Sequence, residues 1–428
     1  MSGARVRLRR EGLWRHRDFL LLWSAQGVSA VGSRVTRTAL PMAAILVAGA
    51  GALDLGLLAA ALTLPRALFA WSGGGFVDRH RRRPVLIGAD VVRAVALAAI
   101  PAAAWWGALS LPLLYAVAAI TGVATVLFEL ADHVLITDLV GREQLLEANG
   151  KREAVDAVAE ITGPALGGAL VAWLTAPIAI AADAASFVAS ALLIARIRKR
   201  ETIAAPPAGG TLVADVRTGI HVVWRDPAIR ALFVAAATMT LFGSFMAALY
   251  TLFALGTLGL TPAQIGITIG CGGIGALVGA SFAGRAAVRF GPRTTLLWTL
   301  GVGAAMQALI PLAPPVPWIA MSFLIATQVI GDGVLTVYLV NETTLRQRLL
   351  PPEALGRAAA TFHVANGTLT PIGALIGGTL AEGIGLRPTL WLLAIGYALA
   401  FLALLAARRA LPARATPPRV LDPSKATG

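Results

Sequence analysis

Apolar runs of about twenty residues or more follow one another from Phe19 to Ala407, divided by short polar or charged stretches. A helix crosses the hydrocarbon core of a bilayer with about 20 mainly apolar residues. The runs at 19–46, 54–76, 84–106, 112–136, 153–173, 177–195, 229–256, 263–283, 294–313, 317–341, 358–381 and 388–407 therefore predict twelve membrane-spanning helices. The fold class expected is all-α integral membrane. Residues 196–228 break the pattern with charge, Pro and Gly, and read as a linker whose IRKRE and GIHVVWRD pieces suit short surface helices. The expected organisation is a six-helix bundle over 1–195 with a basic N-tail, the linker, a second bundle over 229–407, and a polar, Pro-containing tail over 408–428 expected to be disordered.

The two halves share one register. An offset of 210 carries Gly56 to Gly266, Gly74 to Gly284, Arg79 to Arg289, Arg83 to Arg293, Glu143 to Glu353 and Leu145 to Leu355, and also Gly163, Gly167 and Gly168 to Gly373, Gly377 and Gly378. Matched loop, helix-start and glycine positions at one spacing indicate a parallel six-plus-six duplication, a construction common among transporters.

Composition agrees, with 57% apolar and only 14% charged residues among 428. In a soluble chain a net charge of +14 would suggest a nucleic-acid partner; its distribution excludes that reading. The 36 Lys and Arg concentrate in alternate connecting segments, Arg387 alone lies in the intervening loops, and Arg34, Arg37, Arg66 and Arg93 fall within helices. The positive-inside rule then places both termini in the cytoplasm. The basic stretch before segment 1 precedes an apolar run too long for a signal-peptide core, so segment 1 reads as an uncleaved anchor. The single Cys271 offers no intramolecular disulfide and no metal-ligand spacing. With no nucleophile elbow, zinc-binding helix or phosphate-cradling loop, the chain reads as a non-enzyme needing no cofactor or metal.

Between segments 2 and 3 stands GGGFVDRHRRR, residues 73–83, which resembles the loop signature of the major facilitator superfamily through Gly74, Asp78, Arg79, Arg82 and Arg83. Arg81 stands where that signature has Gly, and the second-half copy keeps Gly291 but has Val288 in place of the acid. An acid at a helix end among guanidinium groups accepts bidentate hydrogen bonds and latches two bundles together, and the resemblance implies a gating role for this loop. ITGPALGG, residues 161–168, resembles the family's antiporter motif through Gly163, Pro164, Gly167 and Gly168, which implies export. RDFLLLWSAQGVSAVGS, DVVRA, DAASF and LPPEALGRAAA extend the likeness to the drug and siderophore exporter branch. The implied partners are a macrolide-like or siderophore-like small molecule, protons and the lipid bilayer, with a monomer as working unit. A lysophospholipid flippase of the same fold and an importer remain open at this stage.

Ionisable groups inside a membrane are costly, about 2.5–3.5 kcal/mol each at the bilayer centre on insertion scales, and mark function. Arg34 and Arg37 in segment 1, Glu129, Asp132 and His133 in segment 4, and Asp156 and Glu160 at segment 5 fall at helical spacings of three and four, so each set shares a face. Since the resemblance lines the central cavity with segments 1 and 4, an arginine neutralising Glu129 or Glu160 would leave another of Glu129, Asp132, Asp156 and Glu160 to exchange protons. Segment 4 has no arginine. In the second half Gln328 and Asp332 are the polar candidates for the substrate side, with Asn341, Glu342, His363 and Asn366 nearby in sequence. Phe245, Met246 and Tyr250, flanked by Phe242 and Phe253, suit an adaptable apolar wall.

Overall fold

In the computed structural model the chain is described over residues 12–72, 80–199 and 212–413. All regular structure among these residues is helical. The first half holds α1 (Arg17–Leu46), α2 (Ala52–Ser72), α3 (Arg82–Trp105), α4 (Leu111–Val140), α5 (Leu145–Trp173) and α6 (Ala176–Ala195). The shorter α7 (Leu212–Arg225) follows, and then α8 (Pro227–Thr257), α9 (Pro262–Phe290), α10 (Pro292–Leu312), α11 (Pro317–Leu349), α12 (Pro352–Ile384) and α13 (Leu386–Ala406). These are the twelve long helices that the apolar runs predict. Two begin earlier than expected, α5 by eight residues and α12 by six, because their first turns, LLEANGKR and PEALGR, are polar and extend beyond the apolar core.

Local chemistry explains where helices start and stop. Proline occupies the first turn of α4, α6 and α8 to α12, where its missing N–H has no intrahelical acceptor to lose. Asp226 caps α8, accepting from the amides of Ala228 and Ile229, and Thr261 with Gln264 forms a reciprocal capping box at α9. Gly141, Gly291 and Gly385 end α4, α9 and α12 at φ of 73°, 80° and 93°, a region that a side chain disfavours. A π-helical turn closes α8 at Phe253–Thr257, and another interrupts α11 at Thr327–Gly331.

Among the described residues, nine of the long helices are apolar enough by composition to span a membrane. α2 is apolar over Ala52–Pro65, while α1 and α12 fall short because each carries polar side chains that line an internal cavity, Arg34 and Arg37 in α1, His363 and Asn366 in α12. Trp105, Trp106, Trp173 and Trp318 stand 75–89% exposed where α3 and α5 end and α11 begins. Such a girdle marks a membrane interface. This is the tryptophan end of the molecule; the opposite, basic end carries Arg82, Arg83, Lys199, Arg289, Arg346 and Arg348.

Within the first half α1 packs on α5 and α6, and α3 on α4 and α6; within the second, α8 packs on α12 and α13, and α9 on α11. The halves meet through α2 with α12 and α5 with α9. These are the same contact seen twice, since the 210-residue offset converts α2 into α9 and α5 into α12. At each crossing two glycines face each other, Gly56 with Gly378 and Gly168 with Gly266. A Cβ built on Gly56 would lie 2.7 Å from the Ala374 carbonyl oxygen, and one on Gly266 would lie 2.5 Å from that of Pro164, the equivalent residue. Both crossings sit at the tryptophan end, near the starts of α2 and α9 and in the last turns of α5 and α12.

α7 is bound to the second half. Gly219 lies against the Arg357 backbone in α12, and Trp224 begins an edge-to-face aromatic chain through Phe233 of α8 to Phe362 of α12, at centroid separations of 5.7 and 5.1 Å. On the other side of the linker, Asp18 accepts from the backbone N–H groups of Arg198 and Lys199.

Candidate functional site

Helical spacing turns Gln26, Ser29, Ser33 and Arg37 of α1 toward one side, and there the first half encloses a cavity of ≈ 450 Å³. α4 contributes Glu129 and Asp132 to its wall, and α5 contributes Arg152 and Asp156. Of the predicted ionisable residues, Arg34, Arg37, Glu129, Asp132 and Asp156 line this one space, while Glu160 and His133 are not among its lining residues.

Glu160 takes both arginines of α1. Its Oε2 lies 2.8 Å from Arg34 and its Oε1 2.5 Å from Arg37, with side-chain exposures of 27% for Arg34, 50% for Arg37 and 35% for Glu160. One carboxylate is shared by two guanidinium groups, all within reach of water. Partly exposed pairs of this kind contribute only about 0–1 kcal/mol each, so the arrangement opens easily.

Asp132 forms a second and more buried set. It accepts from the Gln26 side-chain amide and lies 3.3 Å from Arg152. Arg152 also stands 3.0 Å from the His133 ring and 3.9 Å from Asp156, so α5 ties itself to two adjacent residues of α4. Glu129 is solvent-exposed and faces the Arg93 guanidinium across the cavity wall.

A third set, Asp90, Arg93 and Asp183, has no counterpart among the site residues expected from sequence. Asp90 and Arg93 pair one turn apart on α3, 0% and 5% exposed, and the Arg93 guanidinium is clamped between the rings of Phe128 and Phe187, at 4.4 and 4.1 Å. Asp183 of α6, 1% exposed, accepts from the Ser186 hydroxyl at 2.9 Å. The signal was present as an acid and a base in DVVRA and an acid in DAASF, each inside an apolar run; only the packing of α3 on α6 joins them.

The small residues of α5 serve two neighbours. Gly163 lies against the Arg34 side chain and Gly167 against the Val35 backbone, from which a Cβ built on Gly167 would lie 3.1 Å, so both seat α1, while Gly168 turns toward Gly266 of the other half. Pro164 directs its carbonyl oxygen at Gly266. The stretch that fixes the height of Arg34 beside Glu160 is therefore also the stretch on which the halves cross.

Of the loop between α2 and α3, Gly74, Asp78 and Arg79 lie outside the described residues. Arg82 is buried at the start of α3. Arg83 reaches across to the last turn of α6, donating from Nε to the Ile194 carbonyl at 3.1 Å and from its terminal nitrogen to the Ala195 carbonyl. A cation there satisfies carbonyls that the helix end leaves open.

The apolar candidates of α8 are packing residues. Phe245 is 1% exposed against Gly377, and the Tyr250 hydroxyl donates to Thr268 at 3.1 Å inside the second half. Gln328 is buried in the π-helical turn of α11, Met246 packs at the edge of the core, and the Asp332 carboxylate abuts Gly272 of α9. The second half has its own cavity of ≈ 420 Å³, toward which Tyr338, Glu342, Arg346, Phe362, His363 and Asn366 turn. Glu342 pairs with Arg346 at 3.4 Å, and Asn366 accepts from Thr240 at 2.9 Å.

A model of the Major Facilitator Superfamily matches residues 22–341 and 243–427 of the chain. Macrolide efflux protein A of Streptococcus pyogenes is 24% identical over 379 residues, covering 86% of this chain and 90% of that protein. The multidrug efflux pump Tap of Mycolicibacterium fortuitum is 28% identical over 390 residues, with the same coverage of 86% and 90%. Among solved structures, a bacterial homologue of the iron transporter ferroportin in its inward-facing state superposes with a TM-score of 0.73 at 17% identity, covering 92% of this chain and 98% of that one. The outward-facing state of such a homologue gives 0.58 at 17% identity, with coverage of 92% and 99%.

Proposed function

The chain belongs to the Major Facilitator Superfamily, and on that premise we propose that it exports an amphipathic small molecule, macrolide-like or siderophore-like, by alternating access in exchange for protons. The observation that carries this reading is Glu160 held by Arg34 and Arg37 at the rim of an internal polar cavity. The efflux function of the named relatives supports the direction.

With the termini in the cytoplasm, a reading the distribution of basic residues supports, the tryptophan end faces outward. The glycine crossings then close the outer side and leave the cavity accessible from within. Substrate and protons compete for this space. A proton arriving at Glu160 cancels the charge that holds Arg34 and Arg37, loosening α1 on α5, the helix that also carries one of the crossings between the halves. The reverse step restores the clamp. The loop over residues 73–83 is assigned the gating role, with Arg83 anchoring the start of α3 to the end of α6.

The test is substrate-induced proton movement in proteoliposomes of the purified protein, with a macrolide, a siderophore, a cationic dye and a lysophospholipid as probes and Glu160→Gln alongside. Proton flux with a soluble drug, abolished in the variant, is expected. Flux with the lysophospholipid alone would replace the reading by lipid flipping, and flux unchanged by the variant would remove Glu160 from coupling.

A further inference from the structure

Asp90, Arg93 and Asp183 place two acids and one base where water is largely excluded. Asp90 and Asp183 are 0% and 1% exposed, and the rings of Phe128 and Phe187 cover the two faces of the guanidinium between them. With both carboxyl groups ionised the cluster would carry an uncompensated negative charge, and burying one such ion costs several kcal/mol even after relaxation. A carboxyl group in that position takes up a proton instead.

The groups facing the cluster act in both directions, the hydroxyls favouring ionised carboxylates and a further acid disfavouring them. α4 contributes Glu129, a further negative charge toward Arg93. From α1, Arg34 and Arg37 line the same cavity and both are engaged by Glu160, while the Thr36 hydroxyl is buried beside Asp183. α6 itself adds only the hydroxyls of Ser186 and Ser190.

We propose that Asp90 and Asp183 share one proton across Arg93, forming a proton-binding site distinct from Glu160. Arg93 and Asp183 line the cavity and Asp90 lies behind them, so the proton enters from cavity water at Asp183. Uptake forms one O–H bond on a carboxylate oxygen and breaks one in the hydronium ion that delivers the proton, leaving water. Only the use of this proton in transport rests on the exchange mechanism proposed above; its presence in the resting protein does not.

The experiment is infrared spectroscopy of the purified full-length protein, without substrate or pH gradient, reading the carbonyl stretch of protonated carboxylic acids in wild type, Asp90→Asn and Asp183→Asn. Each variant is expected to lose the same single band, because the acid that remains is then matched by Arg93 alone and ionises. Arg93→Gln is expected to enlarge the band about twofold, since both acids then hold protons. A band unchanged in both Asn variants would overturn the proposal, as would losses in the two that add up in the double variant. Two single variants on different helices guard against one failing to fold. Failure of the liposome experiment with the infrared result intact would remove the export reading and leave the shared proton standing.

Discussion

A Cβ built on Gly168 would lie 2.8 Å from the Cα of Gly266, and one built on Gly378 would lie 3.0 Å from the Cα of Gly56. Nothing larger than hydrogen fits between α5 and α9 or between α2 and α12 at these heights, so these four residues set how closely the halves approach.

Valine at position 168 or 378 is therefore expected to force the tryptophan end apart, at a cost of about 1–3 kcal/mol for the closed arrangement. Spin-label distances across that end should lengthen in both variants. Gly88→Ala, where a Cβ meets nothing within 4 Å, should leave them unchanged.

Glu160→Gln removes the one carboxylate held by two arginines. Because all three side chains are partly exposed, the melting temperature in detergent should hardly move. Efflux driven by a pH gradient should fall at least about tenfold, equivalent to ~1.4 kcal/mol of barrier. A large loss of stability with proportionate loss of transport would mean that the residue is only structural.

Asp132→Asn has the opposite profile. The buried carboxylate accepts from Gln26 and pairs with Arg152, and hydrogen bonds to charged groups contribute about 1.5–3 kcal/mol. Thermal unfolding should show a clear drop, larger than that of Glu160→Gln. Glu160→Gln should be the more damaging of the two in transport.

Trp224→Ala cuts the aromatic chain from α7 through Phe233 to Phe362. Each such ring pair contributes about 0.5–1.5 kcal/mol beyond burial. Limited proteolysis within the linker should accelerate several-fold while the transmembrane helices stay resistant.

The helices were legible because a bilayer imposes length and apolarity on every crossing, and the 210-residue offset revealed the duplication. That offset related Gly56 to Gly266 and Gly168 to Gly378 without showing that each glycine's neighbour is the copy of its partner's. The polar first turns of α5 and α12 escaped an argument built on apolar runs, and nothing in FALGT or TQVIG announced a π-helical turn. Among site residues, spacing put Glu129 with Asp132 and Asp156 with Glu160 on common faces. Spacing says nothing about which helix lies opposite, so Asp90 and Asp183 passed as isolated fragments of motifs. Phe245 and Tyr250 suited a binding wall by type, but whether an aromatic faces a cavity or a glycine on the next helix is decided by packing alone.

The paired crossings have a mechanical consequence. Both lie at the same end of the molecule, so a movement that opens that end has to part α5 from α9 and α2 from α12 alike. The closure at this end is a seal with two teeth, and loosening either one weakens the whole of it.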